Sequence, residues 1–97
     1  MIRHIVLFKL KEGTSDAEGK ELARQLGALL HNTGGLMKEA EVAFDVVHAH
    51  NSYDIVLNSV FENTERLKEY QVHAEHVKVL DLIKKICLAT VKVDYGF

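Results

Sequence analysis

No proline, repeat or low-complexity tract interrupts the 97 residues, so nothing marks a linker or a boundary between domains. One domain spanning residues 1–97 is expected. Cys87 is the only cysteine, which excludes an intramolecular disulfide, and between Ile86 and Leu88 it reads as a buried, inert thiol. Near the start, the apolar run Ile5-Val6-Leu7-Phe8 gives way at once to Lys9, too short for a signal sequence or a membrane span. A reducing, cytoplasmic compartment is therefore expected. There is no basic excess to suggest nucleic acid and no charge run to suggest a membrane surface, the net charge being −2. What remains is the composition of an ordinary globular protein, 47% hydrophobic and 27% charged. A chain this short buries about 60–68% of its unfolded surface, so its core is thin and a partner would help it.

Ile2 to Leu10 reads as a strand with Ile2, His4, Val6, Phe8 and Leu10 on one face and Ile5 and Leu7 on the other. Apolar residues on both faces predict a central strand covered on two sides. After the turn at Gly13-Thr14-Ser15, Ser15 and Glu18 form a capping-box pattern. The helix that follows carries Leu22, Leu26, Leu29 and Leu30 on one side. Gly27, beside that stripe, suggests close packing on a sheet, and Asn32 to Gly35 ends the helix. Met37 to His48 alternates as a strand with one wet face, His48 to Ser52 is a loop, and Tyr53 to Phe61 is a strand apolar on both faces. Asn63 or Thr64 starts a short helix, a break falls near His73, and a further helix ends at Cys87. In the last strand, Leu88 to Tyr95, Ala89, Val91, Val93 and Tyr95 alternate with Thr90, Lys92 and Asp94.

The order β-α-β-β-α-β, with the second helix split, fits an α+β ferredoxin-like sandwich whose first and third strands lie in the middle of an antiparallel sheet. Helices cover only one face of such a sheet, yet the central strands are apolar on both. A second copy of the same sheet is the economical cover, so a homodimer through the sheet face is expected. Sequence parity does not decide whether Val60 or Phe61 serves that interface.

The stretch Tyr70-Gln71-Val72-His73-Ala74-Glu75-His76-Val77 holds the candidate chemistry. His76, Leu80, Ile83 and Cys87 share one helix face, which points His76 into the body of the protein. His4 lies on the Val6-Phe8 face of the first strand. One reading makes both histidines core residues held by hydrogen bonds. Another makes them an acid–base pair in a pocket, because imidazole titrates near neutrality, with Tyr70 orienting a carbonyl. His73, three residues before His76, is a candidate ligand-binding side chain. As a metal pair, His73 and His76 lack a third ligand. With no glycine-rich phosphate loop, no cysteine pair and no histidine–carboxylate triplet at ligand spacing, neither metal nor cofactor is expected.

Three segments, Met1 to Leu10, Ser52 to Leu57 and Tyr70 to Val77, together resemble the stress-responsive dimeric α/β-barrel family, often called Dabb. The resemblance covers essentially the whole chain. It implies a ferredoxin-like protomer and a dimer whose two sheets close into a barrel. Most members have no assigned chemistry. A plant member closes a linear polyketide by aldol condensation without a cofactor, and its pocket histidines and tyrosine are similar to His4, His76 and Tyr70. Two positions depart from it. The proline between the paired histidines is Ala74, and a histidine of the third strand is Ile55. The first change is harmless in a helix; the second weakens the expectation of that cyclase activity.

The expected function is a homodimer with a small apolar ligand pocket between sheet and helices. The alternatives are a cofactor-free acid–base enzyme on an aromatic or polyketide-like carbonyl compound, with His4, Tyr70 and His76 as its catalytic residues, and a stress-protective dimer without ligand. A cavity beside His76 separates the first two from the third.

Overall fold

The computed structural model describes residues 1–97. The elements are β1 (Ile2–Leu10), α1 (Asp16–Asn32), β2 (Met37–Phe44), β3 (Ile55–Phe61), α2 (Thr64–Val72), α3 (Ala74–Ile86) and β4 (Cys87–Gly96). The strands form one sheet in the order β2-β3-β1-β4, every neighbouring pair antiparallel. This is the ferredoxin-like βαββαβ arrangement, with β1 and β3 central as their two-sided apolar patterns require.

Helix α1 starts where the sequence places it. The Ser15 hydroxyl accepts the Glu18 N–H at 3.2 Å while the Glu18 carboxylate accepts the Ser15 N–H, completing the capping box. Leu22, Leu26 and Leu29 are buried by this helix against the sheet. Gly27, by contrast, faces open space; Gly19 is the glycine packed on the sheet layer, with Leu10 close to where its Cβ would stand. Strand β2 ends at Phe44 rather than His48. The Asp45 carboxylate accepts the His48 N–H at 2.6 Å, and His48 adopts φ 57°, so the chain turns there instead of extending. β3 begins at Ile55, just after Asp54, whose carboxylate accepts the Leu10 N–H at 2.7 Å while its own N–H donates to the Phe8 carbonyl at 2.8 Å.

Cross-strand register assigns the faces. His4 pairs with Ser59 on β3 and Asp94 on β4, and Phe8 pairs with Ile55 and Thr90. These residues face the helices. Arg3, Ile5 and Leu7 pair with Val60, Asn58 and Val56 on one side and with Tyr95, Val93 and Val91 on the other, forming the open face. Val60 therefore belongs to the open face and Phe61 to the helix-covered core, where it is fully buried. The open face carries uncovered apolar surface: Val91, Val93 and Tyr95 are 47%, 54% and 45% exposed. No helix is long and apolar enough to cross a membrane.

Two substitutions test this frame. Phe61→Ala deletes a fully enclosed ring and should destabilise the protein by about 3–5 kcal/mol. Ser15→Ala removes one cap and should cost about 1 kcal/mol. Urea unfolding followed by circular dichroism measures both, and equal losses would contradict the assigned core.

Candidate functional site

A cavity of about 180 Å³ lies between the helix-facing side of the sheet and α3. Strand β1 contributes His4, Val6 and Phe8 in steps of two, spanning about 13 Å. Helix α3 contributes His76, Leu80 and Ile83, one face over about 10 Å. The Lys11 N–H donates to the Ile86 carbonyl at 2.8 Å, so the ends of β1 and α3 meet and the two elements run in the same direction. The histidines thus mark one end of the slot, and Phe8 and Ile83, with Leu26 and Leu57, make the other end apolar.

The α2–α3 break brings Tyr70 into the same space. His73 is extended, at φ −64° and ψ 138°, and serves as the C-cap of α2 and the N-cap of α3. Its Nδ1 accepts the Glu75 N–H at 3.1 Å. This bend sets the Tyr70 ring against His76, with centroids 4.6 Å apart, and 6.3 Å from His4. His73 itself does not line the cavity. The structure brings together His4, Tyr70 and His76 and leaves out His73, whose ring is engaged in capping rather than facing a ligand. Nor do His73 and His76 share a helix face, since His73 stands outside α3.

Each polar group has a defined state. His76 Nδ1 donates to the Gln71 carbonyl at 3.0 Å, which requires the proton on Nδ1 and leaves the lone pair on Nε2. Burial lowers the His76 pKa, and His4 lowers it further, against the opposing pull of the Gln71 bond; the ring is neutral at pH 7. Burial raises the Tyr70 phenol, which stays protonated and can donate. No group of the chain bonds the Tyr70 hydroxyl. Every fully enclosed polar side-chain atom has a partner, so this hydroxyl reaches the cavity. His4 is buried and its Nδ1 donates to the Asp94 carboxylate. Burial acts to raise the Asp94 carboxyl, but its bonds from Lys92 and His4 outweigh this and hold it ionised, below the ordinary carboxylate value.

Asp94 and Lys92 are absent from the sequence reading of the site. They sit on the polar side of β4, a pattern that suggests a solvated face. Yet Asp94 is the register partner of His4, and Lys92 that of Val6, so that polar side faces the helices. As an edge strand, β4 leaves this flank of the cavity open, with Thr90 and Lys92 along the mouth. No three His, Cys, Asp or Glu side chains gather as a metal-binding cluster.

A ferredoxin-like sandwich with a histidine- and tyrosine-lined slot between sheet and helices is the class that fold and site define. The chain belongs to the stress-responsive A/B barrel domain family, whose model matches residues 2–97. An uncharacterised protein of Streptomyces coelicolor is 30% identical over 102 residues, covering 100% of both chains. A dimeric protein of unknown function and ferredoxin-like fold from Bacteroides fragilis superposes with a TM-score of 0.81 at 26% identity, over 99% of this chain and 95% of that one. The hydroxynitrile lyase of Passiflora edulis shares the fold at a TM-score of 0.84 and 18% identity, over 97% of this chain and 90% of that one.

The lowered His76 pKa has a consequence for stability. The unfolded chain takes up a proton near the ordinary value of 6.5, while the folded chain resists until lower pH. His76 therefore favours folding above that value, and this contribution is lost as pH falls through the folded pKa. Melting temperatures over about pH 5 to 7 should decline toward acid, and His76→Gln should flatten the decline. An unchanged slope in the variant would refute the assignment.

Proposed function

We propose that the chain forms a homodimer through its open sheet face and holds a small, mostly apolar ligand in the cavity beside His76. The observation that carries the ligand reading is the polarity of the slot: His4, Tyr70 and His76 converge at one end, hydrocarbon makes the other end and most of the walls, and Thr90 and Lys92 stand along the open flank. Such a site orients a molecule by one oxygen and accepts its apolar body elsewhere. Size narrows the choice. An apolar cavity of about 150 Å³ admits benzene, so 180 Å³ matches a single substituted ring or a short acyl chain. For the homodimer, the support is the uncovered Val91, Val93 and Tyr95 together with dimeric neighbours of the same fold.

A second reading, proton-transfer catalysis on a carbonyl compound, has one specific observation behind it. His76 presents Nε2 as a base while the adjacent Tyr70 phenol is a neutral donor, the complementary pair that enolisation needs. His4, Tyr70 and His76 are its catalytic residues, with His4 oriented by Asp94. No cofactor enters this scheme.

Titration of single-ring carbonyl compounds, followed by histidine NMR shifts, tests the ligand reading. His4→Ala and His76→Ala should each weaken binding by about tenfold or more with folding retained. If both only lower the melting temperature and no compound binds, the histidines are core residues. Turnover of a bound compound that disappears in Tyr70→Phe selects the catalytic reading. Light scattering with size exclusion should return a dimer at micromolar concentration, and Val93→Lys should shift it to monomer; a wild-type monomer would sink the dimer.

A further inference from the structure

We infer that the ligand of this cavity is an anion, a small carboxylate with an apolar body, and that Lys92 selects it. This rests on the small-ligand reading above and narrows it. Among the side chains lining the cavity, Lys92 is the one that carries a fixed charge, the neutral His76 and Tyr70 contributing none. The Asp94 carboxylate stands behind the lining, its two oxygens taken by Lys92 and His4. An entering molecule therefore meets the Lys92 ammonium on the cavity side of the pair, with its countercharge behind the lining. Position strengthens the case. Lys92 pairs with Val6 on β1, between Asp94 opposite His4 and Thr90 opposite Phe8, and so stands midway along the open flank. A ring seated against Phe8 and Ile83 places a carboxylate substituent at that height.

The bond between Lys92 and Asp94 does not prevent this. The Lys92 side chain is 53% exposed, and an exposed pair of this kind contributes little, so the ammonium can turn to a ligand carboxylate at small cost. Asp94 keeps its bond to His4 when it does. An ammonium is also a mobile point charge on a flexible stem, suited to partners that come and go.

Benzoate and its neutral isostere benzamide are suitable probes, titrated separately into the full chain with the His76 ring resonances as reporter. Benzoate should bind tighter by up to about fivefold, the upper contribution of one exposed ion pair, and added salt should shrink the difference. Lys92→Met should bring the ratio to about one, and Lys92→Arg should restore it. Equal binding of the two probes to the wild type overturns the inference and leaves the ligand reading standing. A preference that survives in Lys92→Met overturns the role of Lys92. If neither probe moves the His76 resonances, the ligand reading falls and the inference with it.

Discussion

Strand β1 is the constraint on which the rest depends. It lies between β3 and β4, so every one of its side chains faces either the helices or the open side, and none is free to face solvent at an edge. Its even residues supply His4, Val6 and Phe8 to the cavity; its odd residues Ile5 and Leu7 supply the open face. A shift of register by one residue would exchange the two sets and destroy both surfaces together. Antiparallel pairing on both sides fixes the register, and the Ser59 hydroxyl, donating to the His4 carbonyl at 3.0 Å, ties the strand at the histidine end of the cavity.

The bend at His73 is the second constraint. One continuous helix from Thr64 to Ile86 would carry Tyr70 and His76 six residues apart, about 600° of rotation, leaving them about 120° apart on different faces. Breaking the helix releases them to meet. The imidazole that makes the break satisfies the new N-terminus of α3 through its Nδ1. A histidine that looks like chemistry by its position in a histidine pair is instead the local device that lets the other one reach the cavity.

Much of this was legible in the sequence, and the limits were physical. Two-sided patterns in Ile2 to Leu10 and Tyr53 to Phe61 are a consequence of central position, so strand order followed from them. The capping box at Ser15 and Glu18 is a local bond and was legible for the same reason. Strand ends were not, because the turn that the Asp45 carboxylate closes on His48 and the bond of the Asp54 carboxylate to the Leu10 N–H are local contacts that periodicity does not record. His4 and His76 were read as a candidate pair in a pocket, and the register puts His4 on the helix-facing side of the sheet, where His76 also lines the cavity. Asp94 was missed because alternation sorts β4 into apolar and polar sides without saying which side faces the helices. Here the apolar side faces outward, toward the sheet's uncovered surface, and the polar side faces the helix layer.

That reversal is itself informative about what the layer between sheet and helices is for. Packing alone would put Val91, Val93 and Tyr95 under the helices and send Thr90, Lys92 and Asp94 to water. The opposite arrangement leaves apolar surface uncovered in the protomer and places an ionised carboxylate beside a buried imidazole. Each half is unfavourable in a solitary chain optimised for its own core. Both become favourable together when a second sheet covers the open face and the interior layer keeps a polar flank for a ligand. The apolar residues of β4 then serve the interface, and its polar residues serve the cavity. On the proposed reading, dimerisation and ligand binding would be requirements on the same ten-residue strand, Cys87–Gly96, met by alternate side chains.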